Sequence, residues 1–510
     1  MDSELKPLKK LAHGAAISFV FGMFAYGIVF ISKLLAARYF GPSDYGLFIL
    51  AETMLGIFGI LVLVGIHHGP SRYIPIYEHR KEPDHLAGYL DLIFKIPVIL
   101  SILASIIIFV IAPMLTSFFS FPEAFVEILR LIAIALPFYA INMVFSGIFF
   151  AKGKILQQNI SRNFIEPLIF LLGVATIFLF NLHIYYLVLF FTLSMVFSFL
   201  YSTTVYKRKI RFPKSKVKSY LMSDWISFSW PLLLVGIFNY FIGWTDNLVI
   251  GKFLDPTNLG IYAIAYSLSR FLIFFFHIFR TIFMPIISER YAKGDSESIS
   301  YLFKKSQNWM IGIVLPAALL LAVFGETILT LVYGNAYALG ATSIQILIIG
   351  FLVIVSVGFC QSILQLHKKT KYIFKANFIT AIINLGLNMM LIPLIGITGA
   401  AISTAFSLSL QNILFLRKAR KLEKLKFDWK VNSKFLLSSI MSIVIIKVVY
   451  NVLQLNLYVK LGIVGMLFVG SYISFIFLLK TFDENDLKIM LAIEKRLGLN
   501  LSPIKKLIRF

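Results

Sequence analysis

Several ionisable residues stand inside stretches otherwise too apolar to hold charge: Lys33, Glu52, Lys95, Glu166, Asp246, Arg270, Arg280, Glu326 and Lys447. An ionised side chain at the middle of a membrane helix costs about 2.5–3.5 kcal/mol on insertion scales, so it is kept where it meets an aqueous cavity or a partner. Lys95, Glu166 and Arg280 fall near one end of their stretches and Glu326 near the other, where snorkelling would serve. Lys33, Glu52, Asp246 and Arg270 sit deeper. Lys33 and Arg270 are the types that would line a wet cavity and hold an anionic group. Glu52 and Asp246 are the types that would neutralise them in ion pairs fixing helix packing, and both readings stand open. Arg72, at the end of the second apolar stretch, is placed to meet a phosphate approaching from that side, or else serves as topological charge. Lys33, Arg270, Arg72, Glu52 and Asp246 are therefore the candidate substrate-binding residues.

Other chemistries find less support. The neighbouring His67 and His68 would point about 100° apart on a helix, with no Asp, Glu or Cys at helical spacing to complete a metal site. Gln345, Gln361, Asn384, Asn388, Gln411 and Asn412 would bind sugar hydroxyls or link helices to one another. The single cysteine, Cys360, excludes a disulfide framework within one chain and reads as a small core residue. No G-x-x-x-x-G-K-[ST], H-E-x-x-H or G-x-S-x-G motif occurs, so the expectation is a transporter and not an enzyme, without metal or cofactor. Its driving force would be an ion gradient (H+ or Na+), the membrane potential or a substrate gradient.

The elements that must position these residues are membrane helices. The chain is 59% hydrophobic and only 14% charged over 510 residues, against about 25% charged in an ordinary soluble chain. Apolar runs recur at lengths able to cross roughly 30 Å of hydrocarbon as helices, and they lack the alternation of barrel strands. The runs read as fourteen spans, beginning with 14–36 and 45–68, opening the second half with 226–250 and 259–283, and closing with 435–455 and 460–480. The first span lacks a small-residue cleavage site and is expected to be retained. The net charge of +24 sorts by loop and does not point to nucleic acid. Even-to-odd connections carry clusters such as Lys207, Arg208, Lys209 and Arg211, or Lys152, Lys154 and Arg162. The odd-to-even connections and their margins hold only Arg38, Arg130, Lys252 and Lys460. That bias places both termini in the cytoplasm of a multi-pass cell (plasma) membrane protein, with basic loops able to attract anionic lipids.

The chain also repeats itself. At a constant offset of 214, Arg38 falls on Lys252, Pro42 on Pro256, Gly46 on Gly260, Ala51 on Ala265, Lys154 on Lys368, and Asn163-Phe164 on Asn377-Phe378. Gly-Pro-Ser-Asp and Asp-Pro-Thr-Asn are turn formers that also cap the next helix, and the glycine after each permits close helix packing. Six spans per half make a parallel repeat, an arrangement suited to two lobes rocking about a site between them. The expected organisation is an N-terminal six-helix lobe over 1–213, a second over 214–430, two additional helices over 431–480 and a cytoplasmic tail over 481–510.

LLAARYFGPSDYGLFILA, GPSRYIPIY, DNLVIGKFLDPTNLGIYAIAYSLSR and FMPIISERYAKGD resemble the polysaccharide-biosynthesis (Wzx-type) flippases of the multidrug/oligosaccharidyl-lipid/polysaccharide exporter (MOP) superfamily, and the likeness spans nearly the whole chain. The resemblance implies an all-α fold of two six-helix lobes about a central cavity. It implies a polyisoprenyl-phosphate- or diphosphate-linked oligosaccharide as substrate, moved from the cytoplasmic to the outer leaflet for surface polysaccharide or glycoprotein biosynthesis. Glycan-assembly proteins would be its partners. It supplies no short invariant motif, so the site residues rest on charge placement. A cation-coupled drug exporter of the same superfamily would favour acids and aromatics over cations. A membrane glycan polymerase or ligase would need a larger outer loop than any connection here provides.

Overall fold

The computed structural model describes residues 2–213 and 215–482, together with Asp486. The tail expected over 481–510 therefore lies largely outside the described residues. Among these residues the chain is helical and has no strand. The first half comprises α1 (Asp2–Leu63), α2 (Pro70–Arg80), α3 (Pro83–Phe119), α4 (Ala124–Ala151) and α5 (Ile155–Ile160), which continues through a π turn (Ser161–Ile165) into α6 (Glu166–Phe180), and then α7 (Ile184–Lys209). The second comprises α8 (Met222–Phe253), α9 (Pro256–Arg270), α10 (Leu272–Ala292), α11 (Ser296–Tyr333), α12 (Ala341–Val357), α13 (Phe359–Leu366), α14 (Thr370–Ile395), α15 (Ile397–Glu423), α16 (Trp429–Val452) and α17 (Leu457–Leu478).

The sequence reading expects fourteen spans. Twelve described helices are long and apolar enough to cross a bilayer, thirteen with the bent pair Met222–Phe238 and Gly243–Phe253. One of the twelve, Phe21–Leu63, has 43 residues, about twice the roughly 20 that one crossing requires. Its path bends at Gly41 (φ 72°, ψ 176°), a conformation open to glycine but not to residues with a Cβ. Pro42 then restarts the helix with φ already set and no amide hydrogen to waste. In the second copy Asp255 does the capping, its Oδ1 accepting the Asn258 amide hydrogen at 2.7 Å.

Contacts divide the chain into two units. The first gathers Met1–Ser267, Glu326–Ser343 and Phe374–Ser407. Inside it the two copies of the repeated motif meet. A Cβ on Gly46 would stand 1.9 Å from the carbonyl oxygen of Pro256, and one on Gly260 would stand 2.0 Å from that of Pro42. This exchange, in which each copy offers the same glycine to the same carbonyl of the other, is the contact a two-fold relation makes. A second exchange surrounds it. Arg38 Nη1 donates to the carbonyls of Leu331 and Val332 at 2.9 and 3.1 Å. Lys252 Nζ donates to that of Phe118 at 2.5 Å and lies over its ring. Val332 and Phe118 share the offset of 214, as do the ends of α11 and α3. Each cation thus serves the unpaired last carbonyls, and the negative dipole end, of the other copy's third helix.

The second unit gathers Leu268–Gly325, Ile344–Ile373 and Leu408–Phe510. Glu423 ties its helices together, accepting from Ser296 Oγ at 2.6 Å and pairing with His367 Nε2 at 2.5 Å. Phe435, Tyr472 and Ile476 form a buried apolar cluster, with Tyr472 Oη donating to the Gly312 carbonyl at 2.5 Å. Cys360 is fully buried, as a small core residue would be.

Candidate functional site

The first unit contains a cavity of about 290 Å³ among α1, α4, α6, α7, α8 and the π turn. Lys33 and Glu52 line it from the two arms of α1. The bend at Gly41 folds those arms together, and Lys33 Nζ donates to both carboxylate oxygens of Glu52 at 2.8 Å. Their side chains are 22% and 18% exposed, so the pair is sheltered but open to the cavity. The alternatives left by the sequence, packing pair or cavity lining, describe one and the same pair.

Arg162 and Glu166 line the same cavity. Arg162 lies within the π turn and Glu166 follows it; such a wider helical turn accommodates one extra residue, re-aims the side chains after it and is concentrated at functional sites. Ser161 anchors the turn to α7, its hydroxyl hydrogen-bonding those of Ser198 at 2.9 Å and Ser202 at 2.7 Å. The neighbouring Arg162 projects elsewhere. It is exposed, and among the described residues it has neither a hydrogen bond nor an ion pair, although its charge acts on Glu166, Tyr139 and His67. In the sequence Arg162 stands among the loop cations; a basic residue four positions before Glu166 is the signal that could single it out.

Aromatic rings complete the wall. Tyr139, Tyr240 and Trp244 line the cavity, and Tyr240 and Trp244 stack with centroids 5.6 Å apart and planes 12° from parallel. Tyr240 Oη donates to the Thr53 carbonyl at 2.8 Å. Two glycines on α1 make room for these rings: a Cβ on Gly56 would lie 2.0 Å from Tyr240 Oη, and one on Gly59 would lie 2.4 Å from Tyr139 Cε1. The site thus joins one unpaired guanidinium, a lysine–glutamate pair, a second carboxylate and stackable aromatic faces.

The other sequence candidates are not lining this cavity. Asp246 is buried, accepting hydrogen bonds from Asn388 Nδ2 at 2.6 Å and from the hydroxyls of Tyr262 and Thr404. It forms no ion pair among the described residues. Arg72 is exposed on α2, its guanidinium 4.7 Å from the centre of the Phe228 ring. Arg270 belongs to the second unit, exposed at the end of α9. Lys95 pairs with Asp91 at 2.8 Å. Gln345 donates to the Ala322 carbonyl at 3.0 Å, a link between helices. A second cavity of about 290 Å³ lies beside the first site, lined by His67, His68, Ser71, Ser146, Gln158 and again Arg162.

The fold defines a multi-pass α-helical membrane protein. The solved structures it resembles share that architecture. The lipid II flippase MurJ, in an inward closed conformation, superposes with a TM-score of 0.68 at 14% identity, over 90% of this chain and 98% of that one. An inward-facing multidrug resistance MATE family transporter of the MOP superfamily superposes with a TM-score of 0.63 at 13% identity, over 80% and 98%. Within that fold, residues 34–339 match the polysaccharide biosynthesis protein family, and the chain belongs to it. An uncharacterized membrane protein of Methanocaldococcus jannaschii is 26% identical over 90% of this chain and 94% of its own length. A probable low-salt glycan biosynthesis flippase of Haloferax volcanii is 26% identical over 40% of this chain and 43% of its own.

Proposed function

We propose that this protein is a flippase that turns a polyisoprenyl-phosphate- or diphosphate-linked oligosaccharide from the cytoplasmic to the outer leaflet of the cell membrane by alternating access, with both termini cytoplasmic. The observation that carries this reading is the Arg162 guanidinium, without hydrogen bond or ion pair among the described residues, in the wall of a cavity that the stacked Tyr240 and Trp244 rings also line. A planar guanidinium matches phosphate oxygens with two parallel N–H donors. Aromatic faces receive the C–H faces of sugar rings, while Glu52 and Glu166 offer acceptors to their hydroxyls. A volume near 300 Å³ is the lower end of ligand-sized cavities and suits the phosphate and first sugar. The lipid tail has no need of the cavity and can stay in the bilayer. The flippase named among the relatives, and the family description, support the same substrate class.

Asp246 has a different role in this reading. A buried carboxylate without a counter-charge is costly, and its partners here are neutral amides and hydroxyls. A proton or Na+ would supply the missing charge, which makes Asp246 the carrier of the coupling ion and not a head-group ligand. Arg72 and Arg270, both exposed, would meet the phosphate outside the cavity.

A drug exporter would present carboxylates and aromatic faces to organic cations, whereas the Lys33 and Arg162 cations of this wall offset both of its carboxylates. The test is reconstitution into liposomes with a lipid-linked oligosaccharide, followed by the rate at which an external glycosidase reaches the glycan. The expected result is protein-dependent glycan exposure that Asp246→Asn strips of its dependence on a proton or Na+ gradient. Efflux of a cationic dye without any glycan exposure would reverse the reading in favour of drug export.

A further inference from the structure

The second cavity is unused by the function proposed above. Its polar groups come from the turn between α1 and α2, from the first turn of α2, from α4, and from the α5–π segment. Gln158 Nε2 donates to Ser146 Oγ at 2.7 Å, and Ser71 Oγ donates to the His68 carbonyl at 2.9 Å. The His67 and His68 rings lie 3.9 Å apart, centre to centre. His67 Nδ1 is buried without a hydrogen-bond partner among the described residues. The walls approach closely: a Cβ on Gly147 would stand 2.5 Å from the His67 carbonyl oxygen.

The composition of this wall is informative. It carries a guanidinium, two imidazoles, an amide and hydroxyls, and no carboxylate lines it. The inner cavity carries two carboxylates against two cations, with Lys33 already engaged by Glu52. The second cavity is therefore the more favourable of the two for an anion. Arg162 lines both, and its five N–H donors can engage a phosphate from more than one side.

We propose that the cavity around His67, His68, Ser71, Gln158 and Arg162 is a second anion-binding station, taking the phosphate or diphosphate of the prenyl-linked head group. Arg162 is common to both stations, so the phosphate passes between them without leaving the guanidinium. The proposal rests on the flippase reading for the identity of its ligand, though not for its preference for an anion.

The test uses the purified full chain carrying Ser71→Cys, whose thiol would sit in the cavity wall while Cys360 stays buried. Maleimide labelling is timed with inorganic pyrophosphate or farnesyl diphosphate as probe. A bound probe at about ten times its dissociation constant slows labelling roughly tenfold, by mass action. Both probes are expected to protect, Arg162→Gln to abolish protection, and Arg162→Lys and Gln158→Leu to retain part of it. No protection by either probe, or full protection in the Arg162→Gln variant, overturns the station. Protection by pyrophosphate but never by farnesyl diphosphate assigns the cavity to a free anion and overturns the head-group assignment. Glycan exposure in liposomes separates the two claims. Intact flipping without protection removes the station alone, whereas protection in a chain that flips nothing removes the flippase reading.

Discussion

Arg162 carries the account at the residue scale, and it was hidden in the sequence for a physical reason. The positive-inside bias accounts for any basic residue close to a cytoplasmic helix end, so Arg162 looked like its neighbours Lys152 and Lys154. Only the π turn, which no hydropathy pattern shows, turns it into two cavities. Lys33 and Glu52 were legible as deep charges, yet their pairing depends on the bend at Gly41 bringing together residues 19 positions apart. That pairing makes a prediction. Lys33→Ala leaves Glu52 sheltered and unpaired, and breaking such a pair costs up to about 3–5 kcal/mol when burial is complete, less at this exposure. The double variant Lys33→Met/Glu52→Met removes both charges and is expected to melt well above the single variant in detergent, while flipping more slowly than the parent. A single variant as stable as the double would mean that the pair is no sheltered ion pair.

Among the elements, the repeat offset was the most informative sequence signal. It aligns Gly46 with Gly260 and Pro42 with Pro256, but it reads each glycine as packing within its own half and does not show that the two copies touch each other. Arg38 and Lys252, matched by the repeat among the few cations of the odd-to-even connections, are explained by the carbonyls they serve at the ends of α11 and α3. Overpacking a close helix contact typically costs about 1–3 kcal/mol. Gly46→Ala and Gly260→Ala should therefore lower the melting temperature by similar amounts. Gly22→Ala, where an added Cβ meets nothing within 4 Å, should leave it nearly unchanged. Unequal losses at Gly46 and Gly260, with one of them neutral, would contradict the two-fold exchange.

For the whole molecule, composition and hydropathy made the fold class plain, because a chain this apolar can only satisfy its backbone in lipid as helices or a closed barrel. The number of crossings was harder to read. Hydropathy places a boundary at Gly41–Asp44, and there the backbone does bend, at Gly41, bringing Lys33 and Glu52 of the two arms of α1 together. The site was legible as a class of residues and not as a set, since which charges share a cavity is decided by tertiary packing. Orientation rests on loop charge and can be checked directly: Lys216→Cys, exposed in the connection before α8, should resist impermeant thiol reagents in intact cells and label once the membrane is opened. Ready labelling in intact cells would invert the topology. The most direct test of the central claim is a structure of the protein bound to a prenyl-diphosphate-linked oligosaccharide. The account predicts the phosphate within hydrogen-bond distance of the Arg162 guanidinium and a sugar against Tyr240 and Trp244. A head group seated at Arg270, with Arg162 untouched, would contradict it.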